Sequence, residues 1–128
     1  MEADIKGLQR KVVAAGVQPM RSAHGDAGIP LRGGRTLPFR VWRRWSAPAG
    51  YYSEAWYLID PQTREVLLEG GSGERAVHIW GLQSLSELSD EVKAPVVLAP
   101  GTYKIVFALD RVRGGELDVS AVEVAAAA

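Results

Sequence analysis

The stretch Thr102-Tyr103-Lys104-Ile105-Val106-Phe107-Ala108-Leu109-Asp110 decides the fold class. Tyr103, Ile105, Phe107 and Leu109 fall on one parity, Thr102, Lys104 and Ala108 on the other. This period of two is that of a β-strand with one face in the core. Upstream, Leu37-Pro38-Phe39-Arg40-Val41-Trp42-Arg43-Arg44-Trp45 alternates in the same way. Leu37, Phe39, Val41 and Trp45 share one face, interrupted by Arg43, and Arg40, Trp42 and Arg44 share the other. Ala47–Gly50 breaks this run, and Tyr51–Asp60 resumes it with aromatics on both faces. Pro61–Arg64 reads as a turn. Glu65–Glu69 and Glu74–Leu82 flank Gly70-Gly71-Ser72-Gly73 and read as a hairpin, and Val96–Leu98 as a short strand. Past Arg111–Gly115, Leu117, Val119 and Ala121 alternate while Val122 and Val124 change parity, which a β-bulge near Ala121 would repair.

Two stretches read differently. Ile5, Leu8, Val12 and Ala15 follow helical spacing, and Gly16 suits a cap, so residues 1–16 are expected as a short amphipathic arm that must dock to persist. Residues 17–36, with Gly25, Gly28, Gly33, Gly34, Pro19 and Pro30, read as a connector. Leu82, Leu85, Leu88 and Val92, with Ser84 and Glu87 as a capping box, suggest one or two helical turns or an irregular crossover. The expectation is an all-β chain: an antiparallel β-sandwich of about seven strands over residues 37–125 with a short N-terminal helical arm. No strand–helix–strand alternation points to a parallel sheet.

Leu98-Ala99-Pro100-Gly101-Thr102-Tyr103 resembles the tyrosine-corner region of immunoglobulin-like and fibronectin type III-like sandwiches. In such a corner Leu98 anchors the incoming loop, Pro100 and Gly101 reverse the chain, and Tyr103 gives its hydroxyl to a backbone acceptor. The resemblance covers these few residues and implies architecture, not activity. The absence of a cysteine pair sets the chain apart from antibody domains.

The 128 residues are 47% hydrophobic and 23% charged, the balance of a folded chain rather than a disordered one. With no cysteine, the chain has no disulfide framework, thiolate metal site or thiol nucleophile. His24 and His78 are the two histidines, and no metal or other cofactor is expected. No apolar run has membrane-span length and no leader pattern follows Met1, so the expectation is a cytoplasmic chain with no membrane association, the alternative being a module excised from a larger or secreted protein. Formal charge is zero but divided: residues 1–50 carry nine Lys/Arg against three acids, and residues 51–128 carry six against twelve. Halves of opposite sign can attract within a fold or between subunits.

Catalytic patterns are sparse. Ser22, His24 and Asp26 lie together in a glycine-rich segment, whereas triads are assembled from distant segments on a rigid scaffold. Glu54, Asp60, Glu65 and Glu69 read as the solvent face of strands rather than as a facing acid pair. His78, beside Trp80, lacks metal-ligand partners at strand spacing. Gly70–Gly73 lacks the Lys-Ser/Thr of a phosphate loop. It matches instead a flexible spacer, which with the Ala125–Ala128 tail suggests an engineered loop. The chain is therefore expected not to be an enzyme.

Aromatic residues carry the functional expectation. Seven of the ten Phe, Trp and Tyr fall between Phe39 and Tyr57, on both parities, more than one buried face can hide. Trp42, Arg40, Arg43, Arg44, Tyr52 and Trp56 are the expected binding surface, since exposed Trp and Arg anchor interfaces. The function expected is a non-catalytic interaction or assembly module with a protein partner or a second copy of itself, the arm of one subunit covering the aromatic strand of the next. The alternative is a carbohydrate-binding module using Trp42, Trp56 or Tyr52 as a platform. Arg43 and Arg44 could meet single-stranded nucleic acid, but the acidic C-terminal half makes nucleic acid an unexpected partner.

Overall fold

The computed structural model describes residues 9–20 and 28–124. Residues 1–8, the Ser22, His24 and Asp26 group and the Ala125–Ala128 tail lie outside them. Among the described residues there are nine strands and no helix: β1 (Lys11–Pro19), β2 (Ile29–Arg32), β3 (Arg35–Thr36), β4 (Phe39–Ser46), β5 (Gly50–Ile59), β6 (Val66–Ile79), β7 (Ser86–Val92), β8 (Gly101–Leu109) and β9 (Val112–Glu123). One sheet has the order β1-β4-β7; the other has the order β3-β2-β9-β8-β5-β6 and curls into a half-barrel. No helix of the described residues is long and apolar enough to cross a membrane.

The two sheets enclose one core, to which Phe39, Val41 and Trp45 come from β4 and Trp56, Leu58, Ile105 and Phe107 from β5 and β8. The alternation that identified β4, β5 and β8 is the alternation of these inward side chains. Burying each contributes on the order of 1.5–3 kcal/mol. Tyr103 donates its hydroxyl to Ala99 O at 2.7 Å, closing the corner before β8. Tyr52 does the same to Pro48 O at 2.6 Å before β5, so two hydrogen-bonded strands each begin at a corner tied by a tyrosine. Leu98 is buried, and Pro100 and Gly101 are exposed at the turn.

Several elements depart from the sequence reading. The predicted helical arm is a strand where it is described: Lys11–Pro19 pairs antiparallel with β4 along its length. A short helix is marginal alone, whereas β4 offers a full partner edge and Gly16 leaves room for the Trp42 indole on β1. The segment read as a connector supplies β2 and β3, with Ile29 and Leu31 fully buried. β2 also runs parallel to β9, so the larger sheet is mixed. The expected helical turns over 84–92 are strand β7, in which Ser86, Leu88, Asp90 and Val92 are more buried than the intervening Glu87, Ser89 and Glu91, while Leu82 and Leu85 stay exposed. The bulge is not at Ala121: the β8–β9 register shifts between Phe107 and Ala108, and Val122 and Val124 are simply exposed.

Gly70–Gly73 is not a hairpin turn. It lies inside the continuous strand β6, where the pairing with β5 shifts register between Ser53 and Ala55. A Cβ on Gly70 would collide with the Trp56 indole, and one on Gly71, whose φ is +107°, with the Glu54 backbone. Ser72 Oγ accepts from Glu54 N at 3.0 Å, and Gly73 O accepts from Ser53 Oγ at 2.8 Å. Gly70 and Gly71 are specified by close packing and Ser72 by its side-chain hydrogen bond, while Gly73 faces open space; three of the four residues thus have a structural role that an inserted spacer would not need.

Candidate functional site

The expected binding residues separate into two groups, one in the interior and one on the outer face of β4. Arg43 points inward from β4, into the core, and is 1% exposed. Its Nε donates to Glu54 Oε2 at 2.6 Å, its Nη2 to Glu54 Oε1, and its Nη1 lies 3.1 Å from Asp90 Oδ2 and 3.2 Å from Val41 O. Glu54 is fully buried on β5 and also accepts from Trp45 Nε1 at 2.9 Å. Asp90 Oδ2 accepts from Trp56 Nε1 at 2.6 Å and from Gly71 N at 2.9 Å. One guanidinium thus ties two carboxylates, and each carboxylate holds an indole N–H. Arg43 and Asp90 belong to one sheet and Glu54, Trp56 and Gly71 to the other, so the network pins the sheets together. The fork-on-fork geometry is the strong form of such a pair, and burial demands it, because a lone charge here would be costly.

Neither oxygen of Glu54 is open to a substrate. Trp56 and Tyr52 are likewise interior, Tyr52 carrying the Arg10 guanidinium 5.1 Å from its ring centroid. These three of the six expected residues, Arg43, Tyr52 and Trp56, are therefore packing and not surface. The sequence signal was present but misread: an arginine on the apolar parity of β4 needs an acid facing it, and Glu54 holds the matching inward position on β5.

Arg40, Trp42 and Arg44 do share the outer face of β4. That face is closed on itself. Trp42 lies against β1, where a Cβ on Gly16 would stand 2.7 Å from its Nε1, and Arg44 sits 5.5 Å over its ring. Arg40 pairs with Glu91 at 3.1 Å and Arg44 with Glu87 at 2.8 Å. The Arg40 hydrogen bond holds the Glu91 carboxyl below its ordinary pKa, with Lys93 acting in the same sense. Exposed pairs of this kind contribute little individually, but they neutralise the arginines toward an outside anion.

A separate surface carries open aromatic area. Tyr51 on β5 and His78 on β6 are cross-strand partners on the outer face of the larger sheet. Their rings stack with centroids 4.8 Å apart and planes 20° apart, and Trp80 follows at 4.2 Å from His78, tilted by 58°. Tyr51 is 71% and Trp80 65% exposed, and Leu82 and Leu85 are exposed in the same connection after β6. Ser46 Oγ holds Leu82 O at 2.8 Å, and Ser86 Oγ accepts from Trp80 N at 2.9 Å, so the connection is anchored at both ends. Sequence reasoning missed this strip because it forms across strands. The parity of Tyr51 was readable, but its neighbour depends on the β5–β6 register. Among the described residues no three His, Cys, Asp or Glu side chains gather where a metal ion could be held.

Comparison with protein-family models and with curated protein sequences finds no match. Among solved structures, the Pseudomonas fluorescens alkylpurine DNA glycosylase AlkC, bound to DNA containing an abasic site analog, resembles this chain with a TM-score of 0.53 at 7% sequence identity. The likeness covers 88% of this chain and 30% of that one, so the chain spans less than a third of the glycosylase's length. At this identity it shows a shared fold. It nonetheless overturns two exclusions. A fold of this kind is carried by an enzyme that acts on DNA, so the expectation that the chain is not an enzyme is withdrawn. For the same reason, so is the expectation that nucleic acid is an unlikely partner.

Proposed function

We propose that this chain is a β-sandwich interaction module, immunoglobulin-like in architecture, that docks a partner on the Tyr51–His78–Trp80 strip. The observation that carries the reading is the exposure of Tyr51 and Trp80 on either side of the half-buried His78 ring, with Leu82 and Leu85 exposed in the connection that follows. Exposed apolar clusters of this kind mark interaction sites, and aromatic side chains are enriched at their anchors. The closed corner at Tyr103 supports the immunoglobulin-like architecture. The occurrence of the fold as less than a third of a longer DNA-bound protein supports a modular role and makes nucleic acid a partner to test. The outer face of β4 is the lesser surface, because Arg40 and Arg44 are already paired.

A glycan platform fits the geometry less well. Tyr52 and Trp56, two of the three residues expected to form the platform, are buried. The reading is tested by NMR shift mapping during a dilution series and titrations with oligothymidylate and a cello-oligosaccharide. Perturbations concentrated at Tyr51, His78 and Trp80 are expected in at least one arm. A strip that stays unperturbed in all three overturns the reading.

A further inference from the structure

We infer that the open face of Tyr51 takes an unpaired base of single-stranded nucleic acid. This rests on the docking reading above and names the ligand class of the same strip. Tyr51 and His78 form a short column of near-parallel rings with centroids 4.8 Å apart. His78 covers one face of Tyr51, and with 71% of Tyr51 exposed the column ends in an open π-face. A column of flat rings is extended best by another flat ring, and every nucleobase supplies one. Aliphatic groups gain area there but no stacking geometry, and duplex bases already stack on each other.

The surrounding charge sets the character of the binding. One row along the strands, Ser53 pairs with Ala76. Arg75 adjoins Ala76 in the sequence. Ser53 also holds the β8–β9 turn: its N–H donates to Asp110 Oδ1 at 2.7 Å and its carbonyl accepts from Asp110 N at 2.7 Å, which places Arg111 beside this row. Arg75 and Arg111 are exposed, and Glu74 and Asp110 offset them in formal charge. Two guanidiniums can meet phosphates, but no strong positive field surrounds the strip. Stacking therefore dominates and salt dependence is shallow. Two phosphate contacts on a single strand give a slope near −1.4, or about a sevenfold loss between 50 and 200 mM salt.

The test is fluorescence anisotropy of a short labelled oligothymidylate with the full chain. Tyr51→Ala is expected to weaken binding about tenfold or more, the scale of one base–aromatic contact, and Trp80→Ala to weaken it as well. Tyr51→Phe, which keeps the ring, and Trp42→Ala, on the other sheet, are expected to bind as the parent does. An unlabelled abasic strand of equal length and a duplex are expected to compete poorly. Thermal melts of Tyr51→Ala should match the parent, since the ring is exposed. An abasic strand that competes as well as oligothymidylate overturns the inference, as does the absence of binding at millimolar strand. Sedimentation of the same variants separates the two readings. Self-association lost in Tyr51→Ala, with no oligonucleotide binding, overturns the base-stacking inference and leaves the docking reading standing. No association of either kind removes both.

Discussion

Removing Glu54 should damage the fold far more than removing an exposed acid such as Glu87. Glu54→Ala strips Arg43 of its bidentate partner inside the core and leaves only the single contact to Asp90 and the Val41 carbonyl. Breaking a buried pair in this way costs about 3–5 kcal/mol. The Trp45 N–H loses its acceptor in the same step, and because the groups act as one network the costs do not simply add. The retained Asp90 contact favours the lower end, about 3 kcal/mol, against a total stability of roughly 5–15 kcal/mol for a domain. That loss corresponds to a fall in Tm of about 12 °C for a chain of this size. The assay is urea unfolding followed by tryptophan fluorescence, with thermal circular dichroism alongside. Glu87→Ala is the internal comparison, since it removes an exposed partner of Arg44 and should cost under about 1 kcal/mol. Replacing both members, Arg43→Met with Glu54→Leu, should recover part of the loss, the remainder being the orphaned Trp45 N–H at about 1–3 kcal/mol. If Glu54→Ala costs no more than Glu87→Ala, the network does not hold the sheets together and the reasoning fails.

Further outcomes follow from the same contacts. Gly70→Ala and Gly71→Ala should each destabilise by about 2–3 kcal/mol through overpacking against Trp56 and the Glu54 backbone. Gly73→Ala meets open space at φ +61° and should cost only about 1 kcal/mol; equal effects at all three in urea melts would restore the spacer reading. Tyr103→Phe and Tyr52→Phe each remove a corner hydrogen bond and should cost about 1 kcal/mol in the same melts. By NMR titration, the Glu91 carboxyl should titrate below its ordinary value because Arg40 hydrogen-bonds to it, and Arg40→Gln should move it up. Since the folded value is the lower one, the Glu91 contribution is in place above the unfolded value and fades as pH falls through the folded one.

The strands most legible in the sequence were those with one dry face. Ile105, Phe107 and Leu109 announce β8, and Phe39, Val41 and Trp45 announce β4, because burial of alternate side chains is written into the residues themselves. Tyr103 closes its corner locally, within four residues, and so was readable as well. The failures share a cause in long-range pairing. Val12 and Ala15 suit a helix until β4 provides an edge for Lys11–Pro19. Leu85 and Leu88 fit helical spacing, yet Leu85 stays exposed while Ser86 and Asp90 turn inward with Leu88, because Trp80 N and Arg43 wait there as partners. Gly70 and Gly71 look like slack chain until Trp56 and Glu54 are placed against them. The site suffered most. Arg43, Tyr52 and Trp56 looked like surface because their buried partners lie on other strands, and the Tyr51–His78–Trp80 strip exists only once the β5–β6 register is known.

The four indole N–H resonances test the central claim together. Trp45 and Trp56 donate to the buried network, at Glu54 and Asp90, and should exchange slowly with solvent. Trp42 lies on the outer face of β4, and Trp80 stands in the exposed strip. On titration of the chain with oligothymidylate, the account predicts that the Trp80 signal moves while the other three hold. A titration that moves Trp42 and leaves Trp80 still would place recognition on the arginine face of β4 and contradict it.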